Sequence, residues 1–171
     1  VETVKLALIP ALQGRTVLSA FVGRKDLRWP LPKNMAECLT GRQFTRLSRR
    51  GKYVMMMLDN GEVLLLHLGM SGSIRIHEDK PALGKHDHFM LEMAPADGQG
   101  GSSYVVLNDP RRFGWIDLFA ESAMAEHKLL ASMAALGGRD PVLAKLALIT
   151  TCKEGVYKHR LILDCRVSGS N

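Results

Sequence analysis

Cysteine is scarce in this chain. Its 171 residues hold three, Cys38, Cys152 and Cys165, widely separated and with no Cys-x-x-Cys. An odd, scattered set excludes a disulfide framework, argues against a closed zinc site, and fits a reduced, cytoplasmic compartment. Long apolar runs are missing as well. The longest non-aromatic one is Val54-Met55-Met56-Met57-Leu58, far short of the roughly 20 residues that a membrane-spanning helix needs. No membrane partner is expected. The N-terminus carries no basic-then-apolar leader pattern, and the chain opens on Val1, as a processed start or a fragment would. Acidic residues are in deficit: 17 against 23 Lys and Arg, a formal net charge of +6. The apolar share of 46% is too high for disorder and sufficient for a core without staples.

The positive charge is concentrated. Arg42, Arg46, Arg49, Arg50 and Lys52 fall between Gly41 and Tyr53 with no acid among them, and Arg111-Arg112 forms a second cluster. A single basic run is commonly a solvated face. Two such clusters in a basic chain point to a polyanion, because phosphates neutralised by Lys and Arg release their counterions.

Along the chain, Val1, Val4, Leu8 and Leu12 have helical spacing, so residues 1–12 predict a helix that is short or ends near Pro10. Strand-like residues 16–22 follow, then a Trp29-Pro30-Leu31-Pro32 break and a short helix over Met35–Leu39. The apolar runs Tyr53–Leu58 and 63–66 flank Asp59-Asn60-Gly61-Glu62, which predicts a hairpin with a type I′ turn. Both runs are almost wholly apolar, as in strands buried on both faces. Further strands are expected at Ser73–His77, 88–92, 104–108 and 115–119, with a Gly/Ser-rich loop over 97–103. Residues 121–133 and 141–149 read as helices. The expected fold class is α+β, mainly β: an N-terminal helix on an antiparallel β-sandwich over 1–120, then the start of a helical domain over 121–171.

Three loops carry unusual residues at strand ends. His67-Leu68-Gly69-Met70-Ser71-Gly72 places a flexible apolar side chain between two glycines. Such a Met is commonly core filler. Asn108-Asp109-Pro110-Arg111-Arg112-Phe113-Gly114 starts on a turn-forming Asp-Pro and leaves two arginines and a Phe at its tip. An exposed aromatic beside guanidinium groups suits a wedge between stacked bases; a Phe folded back onto the core is the plainer alternative. In Arg49-Arg50-Gly51-Lys52-Tyr53 the glycine lets the backbone bend and Lys52 leads into a strand.

Together with Val1-Glu2-Thr3-Val4 and Lys85-His86-Asp87-His88, these segments resemble the formamidopyrimidine-DNA glycosylase family of base-excision repair enzymes, bacterial type, over residues 1–133. The resemblance implies a protein that bends duplex DNA, turns an oxidised purine out of the stack and fills the gap. Met70, Arg111 and Phe113 match the family's filling set, with Arg111 also facing the base left unpaired, and Lys52 and His67 match its contacts to flanking phosphates. The implied partner is damaged double-stranded DNA, bound by a monomer in the bacterial cytoplasm at the nucleoid. The implied chemistry is removal of formamidopyrimidine and 8-oxoguanine with abasic-site β,δ-lyase activity.

The departures are equally specific. The family's nucleophilic proline and adjacent Glu, in Pro-Glu-Leu-Pro-Glu, have no counterpart here, and Glu2 matches another position. The expectation is a chain truncated at both ends and inactive as it stands, the alternative being a catalytically silent duplex-DNA-binding module. The family's four-cysteine zinc ribbon also has no match, so no cofactor is expected in this chain. Leu161-Ile162-Leu163-Asp164-Cys165 is faintly similar to part of the family's helix-two-turn-helix domain, which makes 121–171 an incomplete version of that domain. A generic β-sandwich interaction domain would leave the five matching segments unexplained.

Overall fold

The computed structural model of the protein describes residues 1–96, 101–127 and 130. The chain divides into two units, Val1–Ser122 and Ala123–Asn171. The first begins with helix α1 (Glu2–Leu12), strand β1 (Val17–Val22) and helix α2 (Met35–Leu39). Seven strands follow: β2 (Phe44–Arg50), β3 (Tyr53–Leu58), β4 (Glu62–His67), β5 (Ser73–His77), β6 (Asp87–Met93), β7 (Ser103–Asn108) and β8 (Trp115–Ala120). They form two four-stranded antiparallel sheets, in the orders β2-β3-β4-β8 and β1-β6-β7-β5. The mainly β fold with an N-terminal helix is the one expected.

One core joins both sheets and both helices. Leu8 and Leu12 of α1 and Leu39 of α2 are buried in it beside Met56, Leu66 and Leu107. Burying each such side chain contributes about 1.5–3 kcal/mol. Strands β3 and β4 are buried on both faces, as their unbroken apolar runs imply. Among the described residues, no helix is long and apolar enough to cross a membrane.

Helix α1 is short and ends near Pro10 as expected, and three other local features differ from the sequence expectations. Helix α1 runs two residues past Pro10, because that proline forfeits a single bond, to the carbonyl of solvent-exposed Leu6. Buried Ala11 and Leu12 and the Gln13 N–H bond to Ile9 O (2.9 Å) secure the last turn. The first basic cluster is largely a strand, β2, which the sequence does not announce. Only Phe44 and Leu47 of β2 are buried, and a bulge between Phe44 and Arg46 breaks the alternation of two that marks a strand. The β3–β4 hairpin is present, but its turn is not type I′. Gly61 alone is left-handed (φ 79°), and its N–H closes a turn onto Leu58 O, while Asn60 binds Glu62 instead. Finally, Glu121–Ala123 is a single 3-10 turn, not the start of an α-helix. Residues 97–100 of the loop expected over 97–103, the helix at 141–149 and the tail motif lie outside the described residues, and Ser103 is already the first residue of β7.

Strand pairing gathers one end of the sandwich. Across the first sheet Arg50 pairs with Tyr53, Val54 with Leu66, and His67 with Trp115. Across the second, Asn108 pairs with both Ser73 and Asp87. Residues 68–72 therefore cross from β4 to β5 beside residues 109–114, which cross back from β7 to β8.

Candidate nucleic-acid interface

The two crossing loops touch through their backbones. Gly69 is left-handed (φ 62°), and a Cβ there would lie 2.5 Å from the carbonyl carbon and oxygen of Phe113. No side chain fits, which explains a glycine before Met70. Asp109, fully buried, ties the loops together. It accepts a hydrogen bond from the Ser71 hydroxyl at Oδ1 and one from the Gly114 N–H at Oδ2, each 2.6 Å long. Its own N–H donates to His86 O, and its carbonyl accepts from His88 Nε2 (3.0 Å) and from the Arg112 N–H (3.3 Å). A carbonyl can only accept, so His88 carries its proton on Nε2.

Held in this way, the loops present Met70 (49% exposed) and Phe113 (37% exposed) to solvent. Phe113 does not fold back onto the core. The Arg111 guanidinium lies over its ring, 4.6 Å from the centroid. Arg112 between them is left-handed (φ 56°), an uncommon conformation for a side chain of that size.

Lys52 and His67 occupy the same end of the first sheet. Lys52 sits in the two-residue Gly51-Lys52 turn of the β2–β3 hairpin, where Gly51 has φ 59°. His67 packs its ring against Tyr53, 5.0 Å between centroids, and its Nδ1 accepts the Gly69 N–H at 3.2 Å. The remaining proton is therefore on Nε2, an available donor. Burial lowers the His67 pKa from its usual value, and the nearby cations Lys52 and Arg28 lower it further. His67 is thus a neutral donor flanked by positive charge.

Arg28 is the residue that the sequence reading passed over. Its positive charge bears on both His67 and Tyr53, and its backbone N–H donates to Gly114 O at 3.3 Å. The adjoining Trp29 and Trp115 rings stand 6.5 Å apart. The available signal was a basic–aromatic pair directly before Pro30, read only as a chain break. The first basic cluster also divides: Arg46 pairs with Glu121 (3.8 Å) and Arg49 with Glu2 (3.0 Å). Among the described residues Lys52 has no ion-pair partner. Among those residues, too, no group of three or more His, Cys, Asp or Glu side chains could hold a metal ion.

Comparison with known proteins matches residues 1–116 to the formamidopyrimidine-DNA glycosylase N-terminal domain. A formamidopyrimidine-DNA glycosylase of Cereibacter sphaeroides is 48% identical over 141 residues, which cover 78% of this chain and 48% of that protein. One from Ruegeria pomeroyi is 46% identical over 138 residues, covering 76% and 47%. The chain spans about half the length of the curated relatives it matches. In structure it is similar to Lactococcus lactis Fpg (MutM) in a complex with FAPY-dG-containing DNA, with a TM-score of 0.64, 26% identity, and coverage of 77% and 47%. The same protein in complex with abasic-site DNA matches at a TM-score of 0.64.

Proposed function

The chain belongs to the formamidopyrimidine-DNA glycosylase family through that family's N-terminal domain, and on that premise we propose that it binds damaged duplex DNA at the loop-bearing end of the sandwich. The whole protein would excise oxidised purines, formamidopyrimidine and 8-oxoguanine, and cleave the resulting abasic site by β,δ-elimination. Acting on genomic DNA, it would work as a monomer at the nucleoid.

The observation that carries this reading is convergence. Lys52, His67, Met70, Arg111 and Phe113 come from three separate loops and turns, yet all emerge at one end of the two sheets. Their chemistry is complementary. Lys52, with Arg28 beside it, supplies unpaired positive charge, and His67 a neutral N–H donor, for the phosphates flanking a lesion. Met70 and Phe113 are exposed apolar groups able to replace a base in the stack, and Arg111 has donors for the base left unpaired. Extruding a base costs a few kcal/mol, and inserted side chains offset part of that loss.

The covalent step of the family is amine attack on the sugar C1′, giving an imine before strand cleavage. No residue of this chain matches the proline and glutamate that perform it. These residues by themselves are therefore assigned binding and base extrusion without lyase chemistry. Fluorescence anisotropy on intact, 8-oxoguanine, formamidopyrimidine and abasic duplexes tests the binding. Tighter binding to the modified duplexes, weakening steeply with salt, is expected; equal affinity for all four would overturn it. Borohydride trapping on the abasic duplex tests the chemistry. An adduct is expected only after Pro-Glu-Leu-Pro-Glu is added before Val1, and an adduct with the chain unextended would overturn the assignment.

A further inference from the structure

Asp109 has an arrangement that a simple turn does not require. Its carboxylate is wholly removed from water, and among the described residues no Lys or Arg pairs with it. Burying such a group is costly unless its oxygens are satisfied. They are satisfied by two different loops. Oδ2 holds Gly114 in its own loop, whereas Oδ1 holds Ser71, 38 residues away in the neighbouring one. Close packing adds to these bonds. Gly69 lies against the Phe113 backbone, and a Cβ on Gly114 would come within 2.8 Å of Asp109 Oδ2.

We infer that Asp109 is a positioning residue that locks the Met70 loop and the Phe113 loop into one rigid body, so that both side chains enter DNA as a unit. The inference rests on the proposed function only in its last clause. Two loops ordered separately would each lose conformational freedom on insertion. A body already locked loses little, and the binding free energy is retained for opening the stack. Asp is suited to this because its two oxygens accept two donors at once. An Ala side chain has no acceptor and can hold neither loop.

Hydrogen exchange on the full chain without DNA tests the lock. The reporters are the hydrogen-bonded amides of Gly69 and Gly72 in one loop and of Arg112 and Gly114 in the other. In the unaltered chain the four should exchange through one common opening. Ser71→Ala removes a single hydrogen bond to a carboxylate, and should speed Gly69 and Gly72 about tenfold or more while leaving Arg112 and Gly114 slow. Asp109→Ala removes both acceptors and should release both pairs. Independent exchange in the unaltered chain, or no change in Ser71→Ala, overturns the lock.

Binding to an abasic duplex then tests joint insertion. Losses from Met70→Ala and Phe113→Ala should be non-additive in the unaltered chain and additive in the Ser71→Ala background. Additivity in both overturns joint insertion. An intact lock in a chain with no preference for the abasic duplex would instead remove the proposed function and leave the lock standing.

Discussion

The Arg111 guanidinium sits over the Phe113 ring at 4.6 Å from its centroid. This contact joins the two chemistries of the loop tip, since the cation stabilises an aromatic ring that is partly exposed to water. A cation–π contact at an exposed site contributes about 0.5–1 kcal/mol.

Phe113→Ala should therefore weaken binding to an abasic duplex by about tenfold, a typical loss for one base-stacking aromatic. Intact duplex should be affected less, because nothing is vacated for the ring to fill. Parallel titrations of both duplexes, with a fluorescent base analogue opposite the site, measure the difference. Equal losses would make Phe113 a structural turn residue.

Lys52→Ala should act differently. A phosphate contact carries no sequence or lesion information, so affinity should fall on intact and damaged duplex alike. The slope of log affinity against log salt should become shallower by about 1. A loss confined to damaged DNA would give Lys52 a role at the lesion itself.

His67 makes stability depend on pH. Its pKa in the folded protein lies below the usual 6.5, through burial and then Lys52 and Arg28. Between that usual value and the lowered one, the unfolded chain binds more protons than the folded chain, so stability falls as pH drops through this window. Urea midpoints from pH 7.5 downward should decline more steeply for the unaltered protein than for His67→Gln. Parallel curves would show that His67 titrates as it does in the unfolded chain.

Gly69→Ala and Gly61→Ala separate strain from contact. Both glycines are left-handed, but a Cβ on Gly61 meets nothing within 4 Å, whereas on Gly69 it meets the Phe113 backbone at 2.5 Å. Gly61→Ala should cost about 1–2 kcal/mol from backbone conformation alone. Gly69→Ala should cost at least about 1 kcal/mol more, since a backbone segment must move. Denaturant unfolding of both variants gives the comparison, and equal costs would mean that the loops do not press on each other.

Much of this protein was legible in local sequence. Tyr53–Leu58 and residues 63–66 are short apolar runs, and the turn-forming Asn60-Gly61 between them marks the pair as a hairpin. The candidate roles of Lys52, Met70, Arg111 and Phe113 were legible through the resemblance of their short segments to the family, whereas the exposure of Met70 and Phe113 was decided by the structure. Strand β2 was hidden because its pairing with β3, and not its own alternation, makes it a strand. The turn at Asn60 was misread because side-chain bonds to Glu62 compete with the backbone geometry that the dipeptide favours.

What tertiary structure alone decided is proximity. Ser71 and Asp109 stand 38 residues apart, and nothing in either segment names the other. They meet because β4 pairs with β8 while β5 pairs with β7, so that two crossings between the sheets run side by side at one end. Arg28 joins His67 by the same route, through a loop bonded to Gly114. Side-chain chemistry is a property of single residues and is written locally. The assembly of these groups into one surface depends on strand order, which is set by burying both sheets against a common core.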